Sequence, residues 1–250
     1  MNRADKDIIR VFSDHEALSR AAADLFNQRA QAAVRDRGCF CVALAGGTTP
    51  RRTYELLALP PFHEEVPWPE VHVFWGDERC VPPQDPQSNE RMARKALLDR
   101  VPLLEEQIHP IRCAGEPAGV ARNYEKLLRE YFGEKGPSFD LVFLGLGENG
   151  HTASLFPGEP VLREKERWAA EVFPGAEGLR RVTLTAPLLN RAREVAFLVS
   201  GKEKAQVLLE VLEGPEDPER LPAQLIRPEP GRLHWFVDRE ANRLAGLVEV

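Results

Sequence analysis

The sequence predicts a three-layer α/β/α sandwich on a mostly parallel, Rossmann-like central sheet, in a single domain over residues 1–250. Three observations predict it. Short apolar runs such as CFCVAL (39–44) and FDLVFL (139–144) read as strands buried on both faces. They alternate with segments whose apolar residues recur near a 3.6-residue period, the pattern of a parallel sheet covered by helices. With 43% hydrophobic residues in 250, the chain can build one sizeable α/β domain or two small ones. The proline-rich stretches 60–69 and 214–230 read as loops inside one domain, not as linkers.

Residues 8–12 (IIRVF) are the first strand. Ser13 and Glu16 have capping-box spacing, and Ala17, Leu18, Ala21, Leu25 and Ala32 mark a helix that ends by Gly38. Strand 39–44 follows, then AGGTTP (45–50), where Thr49 is placed to cap a second helix and Pro50 fits its first turn. VHVFW (71–75) is a strand. Ser88 can cap a helix running through Met92, Ala96 and Leu97. Val120, Tyr124, Leu127, Leu128 and Tyr131 trace another, stopped at Gly133. Strands are predicted at 139–144, 181–185, 194–199 and 233–237, and Ser200 with Glu203 forms a second capping box.

Net charge is −6, with no basic stripe to neutralise a phosphate backbone, which disfavours nucleic acid as a partner. A few local cations could still hold one small phosphate. The four cysteines and six histidines show no metal-ligand spacing. No signal-peptide run opens the sequence and no stretch could span a bilayer, so a cytoplasmic protein is expected. The 21 prolines and two methionines lean toward thermostability.

Gly145, Gly147 and Gly150 spell G-x-G-x-x-G in LGLGENGHTASLFPG (144–158). A dinucleotide fingerprint needs a long helix directly after the glycines. Here Pro157 arrives seven residues after Gly150, and the motif lies past mid-chain. The glycines instead shape a turn that presents His151. The better anion site is Gly46-Gly47-Thr48-Thr49, between a buried strand and a helix N-terminus, where free N–H groups and the helix dipole favour a phosphate. Lys202 and Lys204 fall in the first turn of the helix that Ser200 opens, opposing its dipole unless an anion binds nearby. A third strand runs into Gly76-Asp77-Glu78-Arg79. In an open parallel sheet, ligands bind at that carboxyl edge.

At these residues the sequence resembles the 6-phosphogluconolactonases. The resemblance runs through LAGGTTP (44–50), GDERCVP (76–82) with Ser88-Asn89, GHTASLFPG (150–158), SGKEKA (200–205), LPAQLI (221–226) and HWFVDREA (234–241). It implies hydrolysis of 6-phospho-D-glucono-1,5-lactone, with a sugar phosphate as partner, a monomer or small homo-oligomer, and neither metal nor organic cofactor. By similarity Gly46, Gly47, Thr48, Thr49, Arg79 and Lys204 would hold the phosphate. His151 would act on the lactone carbonyl as general base, a role that suits its ordinary pKa. Many relatives have Asp-Gly-His where this chain has Asn149-Gly150-His151, so Asn149, Glu148 and Asp77 all remain candidates for orienting the imidazole. Ser154 has no evident partner and no G-x-S-x-G elbow surrounds it, which disfavours a covalent serine. The related glucosamine-6-phosphate isomerases would use Asp77 as base and carry a glutamate before the proline of this loop. Phe156 stands there instead. A non-catalytic sugar-phosphate sensor is the remaining alternative.

Overall fold

The computed structural model describes residues 7–133, 138–175 and 178–247. Residues 1–6, part of the segment read for a leader, lie outside them. The chain opens with β1 (Ile8–Phe12), α1 (His15–Arg37) and β2 (Phe40–Leu44), followed by α2 (Thr48–Leu57), the one-turn α3 (Phe62–Glu65), β3 (Val71–Trp75), β4 (Asp77–Arg79) and α4 (Asn89–Ala96). Then come β5 (Ile108–His109), α5 (Pro117–Phe132), β6 (Leu141–Gly145), β7 (Ala169–Val172), β8 (Arg181–Leu184) and α6 (Ala186–Leu189). β9 (Glu194–Val199), α7 (Ala205–Glu213), β10 (Arg232–Asp238) and α8 (Arg239–Asn242) complete it.

Seven strands form one sheet in the order β1-β10-β9-β6-β2-β3-β5, every pairing parallel. Its interior strands β2 and β9 are buried at every residue, as their largely apolar sequences require. Phe26 of α1 packs between Phe40 and Phe143, and Tyr54 of α2 lies against Phe143, so two helices and two strands share one aromatic core. Among the described residues no helix is long and apolar enough to cross a membrane.

The predicted strand at 181–185 exists as β8, but it belongs to a separate antiparallel sheet, β4-β8-β7. β4 is the charged triplet Asp-Glu-Arg that follows β3 after Gly76. The chain switches sheets at Gly76. Its N–H donates to Leu44 of β2 (2.9 Å) and its carbonyl accepts from Leu184 of β8 (2.8 Å), so one residue bonds to both sheets.

Three predicted caps are placed differently. Asp14, not Ser13, caps α1 by accepting from the Ala17 N–H (2.8 Å), while Glu16 is drawn away to Arg52. A carboxylate is the stronger acceptor at a dipole's positive end. α2 starts two residues earlier than expected, with Gly47 at φ +101 as its N-cap and no side chain bonded to its first N–H groups; Thr49 is inside the helix. Ser200 does not cap α7. Its hydroxyl donates to Asp238 (2.5 Å), and residues 202–204 form a tight turn before the helix. Ser88 caps α4 as predicted, accepting from Arg91 N–H. The segment 60–69 is not only loop, since it contains α3, and residues 222–225 form a short turn of helix in the second proline-rich stretch.

Tyr54 ties the fold to the edge where ligands bind. Its buried hydroxyl accepts from the Ala45 N–H (2.9 Å) and donates to the Ala45 carbonyl (3.0 Å), fixing the residue before Gly46. Tyr54→Phe leaves both backbone groups unpaired in the core. It is expected to lower stability by about 1–3 kcal/mol in urea unfolding.

Candidate active site

The carboxyl ends of β2, β3, β6 and β9 open into a cleft of about 510 Å³, and Gly46, Gly47, Thr48, Thr49, Asp77, Arg79, His151 and Lys204 all line it. Asn149 reaches it through its bond to His151. Four stretches far apart in sequence thus meet where an open parallel sheet binds ligands.

The backbone dictates where the histidine sits. Gly150 adopts φ +82, a left-handed turn that glycine permits at no steric cost. A Cβ on Gly147 would fall 2.0 Å from His151 Nδ1, so Gly147 makes room for the ring. The imidazole packs on Phe156, with centroids 4.4 Å apart. Ala153, the one described non-glycine residue with positive φ (+47), carries the turn onward.

Asn149 orients His151. Its Oδ1 accepts from the His151 backbone N–H (3.2 Å), and because a backbone amide only donates, the atom there must be the oxygen. The same oxygen lies 2.5 Å from Nδ1, so Nδ1 carries the proton and Nε2 is left as the basic nitrogen. Burial depresses the imidazole's pKa to about 4. Asp77 opposes that shift, and Arg181, Lys204 and Arg79 reinforce it.

Asp77 does not bond to His151. Its buried carboxylate accepts from the Ser154 hydroxyl (2.6 Å) and the Asn89 amide (3.1 Å), with Arg181 at 3.8 Å. Ser154 therefore has a partner the sequence did not reveal, but it is fully buried and is no nucleophile. Asn89 also donates to the Asp77 carbonyl (2.8 Å). Its side chain fills the space a Cβ on Gly46 would need, 1.9 Å away. Glu78 faces away from the cleft and accepts from the N–H groups of Asn89 and Glu90 at the start of α4. Burial raises its pKa against the pull of those donors.

The uncapped N–H groups of α2 follow Gly47 on the cleft wall. Arg79 donates through Nη1 to the Gln87 carbonyl (2.7 Å), while its buried Nε has no partner among the described residues. Lys204 stands 3.9 Å from Glu148. Its turn is held by Asp238, which accepts from Ser200 and from Gly201 N–H. His15 and Arg181 also line the cleft, and neither was singled out from sequence. For Arg181 a signal existed: RVTL alternates, placing an arginine on the same strand face as the fully buried Thr183.

Fold and cleft define an enzyme class, a parallel α/β protein with a small basic cleft and a neutral histidine at the carboxyl edge of its sheet. Residues 13–235 match the family described as glucosamine-6-phosphate isomerases/6-phosphogluconolactonase, and the chain belongs to that family. It is 42% identical to a 6-phosphogluconolactonase of Synechocystis over 238 residues, 94% of this chain and 96% of that one. The structure of 6-phosphogluconolactonase from Trypanosoma brucei superposes with a TM-score of 0.83 at 30% identity, covering 95% of this chain and 98% of the other. A monomeric glucosamine-6-phosphate deaminase shares the fold, with a TM-score of 0.80 at 22% identity over 95% of this chain and 99% of its own. Fold alone therefore does not separate the two activities; the cleft residues must.

In a pH titration followed by NMR, the His151 ring is expected to stay neutral down to about pH 4. Asp77→Asn removes the charge that favours imidazolium and should lower that value further. Gly147→Ala should expel the ring into solvent and return it toward about 6.5.

Proposed function

We propose that the chain hydrolyses 6-phospho-D-glucono-1,5-lactone to 6-phosphogluconate, the second step of the oxidative pentose phosphate pathway. The observation that carries this reading is the geometry of His151, whose Nδ1 is held by the Asn149 amide oxygen at 2.5 Å and whose Nε2 has no partner among the described residues. A lactone is an activated ester, so positioned water and one base suffice. Nε2 takes a proton from water as the water oxygen bonds to the lactone carbon, giving a tetrahedral oxyanion. Its collapse re-forms the carbonyl and breaks the bond to the ring oxygen. The imidazolium returns its proton to that oxygen, and the new carboxyl group ionises into solvent. With an amide as partner instead of a carboxylate, imidazolium has no charged partner at Nδ1. The neutral ring is then a weak base, and the protonated ring a strong acid toward the leaving alkoxide.

The phosphate is assigned to the N–H groups of Thr48 and Thr49 at the start of α2, with Gly46 and Gly47 allowing close approach and Lys204 and Arg79 supplying charge. Asp77 is assigned a positioning role, since Ser154 and Asn89 occupy its carboxylate. The isomerase reading needs acid–base help beside the histidine. Phe156 packs there at 4.4 Å and can give none.

Lactone generated from glucose 6-phosphate should disappear faster than its spontaneous background, with no ammonia released from glucosamine 6-phosphate. Ammonia without lactone loss would overturn the reading in favour of the isomerase. His151→Ala should reduce turnover by about 10²–10⁴-fold, the usual worth of a general base. Lys204→Ala should chiefly raise KM. The acid limb of kcat/KM should lie near the His151 value of about 4, because protonation below it removes the base.

A further inference from the structure

Three cations line the cleft, and each has a partner. Lys204 faces Glu148 at 3.9 Å, and Arg79 donates to the Gln87 carbonyl at 2.7 Å. Arg181 is set apart by its neighbours. Its side chain is only 19% exposed, and its buried Nε has no hydrogen-bond partner among the described residues. Its nearest carboxylate, Asp77, is 3.8 Å away and already accepts from Ser154 and Asn89. The shared Asp77 carboxylate offsets only part of the cost of holding this guanidinium out of water, and its Nε is left to meet a further acceptor.

Its position indicates what arrives. The guanidinium lies over the Phe156 ring at 5.1 Å, and His151 packs on that same ring at 4.4 Å. Of the three cations it also opposes protonation of His151 most strongly. Arg181 therefore lies beside the histidine, and it pairs across β4–β8 with Arg79. Lactone hydrolysis presents two negative charges, a permanent one on the phosphate and a transient one on the carbonyl oxygen. A donor pre-set in a dry site stabilises the transient charge without reorganising during the reaction.

We infer that Arg181 is a catalytic residue, donating hydrogen bonds to the lactone carbonyl oxygen and stabilising the oxyanion formed when water attacks; this rests on the lactonase reading above. As the water oxygen bonds to the carbonyl carbon and its proton passes to His151 Nε2, the carbonyl π pair moves onto the oxygen facing Arg181. When the carbonyl re-forms, that pair returns, the ring C–O bond breaks, and the ring oxygen takes the proton from His151. Arg181 gains and loses no proton.

The test compares wild type, Arg181→Met and Arg181→Lys for lactone hydrolysis over the spontaneous background, with inorganic phosphate as inhibitor and thermal melts as the check on folding. Arg181→Met should lose about 10²–10³-fold in kcat, with KM and phosphate inhibition nearly unchanged. Its acid limb should move to higher pH, because a cation opposing imidazolium has gone. Arg181→Lys keeps the charge without the planar fork and should recover about tenfold of that loss; if the Met variant does not fold, the Lys variant's drop in kcat at constant KM carries the comparison. Active wild type with kcat intact in the variants overturns the assignment alone. So does a rise in KM and in the phosphate inhibition constant at constant kcat, which would make Arg181 a phosphate ligand. Wild type no faster than background would overturn the lactonase reading, and this assignment with it.

Discussion

One buried carboxylate holds the cleft together. Asp77 stands where the chain leaves the parallel sheet for the small antiparallel one, and it accepts from Ser154 in the histidine loop and Asn89 at the start of α4. Arg181 of β8 approaches the same oxygen at 3.8 Å. Three segments separated by up to a hundred residues are thus referenced to two oxygen atoms. Burying a carboxylate is tolerable only when its lone pairs are met and a cation stands near, so these partners are conditions for the fold as well as parts of the site.

The electrostatics of the cleft run against those of the molecule. A chain of net charge −6 gathers Arg79, Arg181 and Lys204 around a histidine that burial and those cations keep neutral. A positive concavity focuses its field on an approaching phosphate even when the distant surface is acidic. Burial first, and then the same cations, hold the His151 imidazole below its ordinary pKa although Asp77 stands near.

Much of this was legible in the sequence because it rests on local signals. The largely apolar runs at 39–44, 139–144 and 194–199 correspond to β2, β6 and β9, and the glycine pairs at the strand ends line the cleft. What escaped depends on long-range partners. Ser13 and Ser200 have the spacing of caps, but Asp14 outcompetes the first and Asp238 captures the second. The triplet Asp77-Glu78-Arg79 looks like a surface turn until β8, a hundred residues later, pairs with it. Arg181 was overlooked for the same reason, since a charged residue at a strand's start reads as solvent-facing until the loop carrying Phe156 is laid over it. The orientation of His151 lay between these cases. Asn149 was among the candidates, and only the shared oxygen on the backbone N–H and Nδ1 distinguishes it.

The close packing over Gly46 bears on how such a site can change. The Asn89 side chain occupies the volume a methyl group there would need, and the same side chain tethers Asp77. Position 46 therefore cannot enlarge alone, and position 89 cannot shrink without releasing the carboxylate. Each substitution by itself lies in a fitness valley, and a smaller residue at 89 would have to precede any larger one at 46. The two positions drift as a pair or not at all. A library that varies the phosphate loop while holding position 89 fixed will recover glycine at 46, whatever substrate is used to select it.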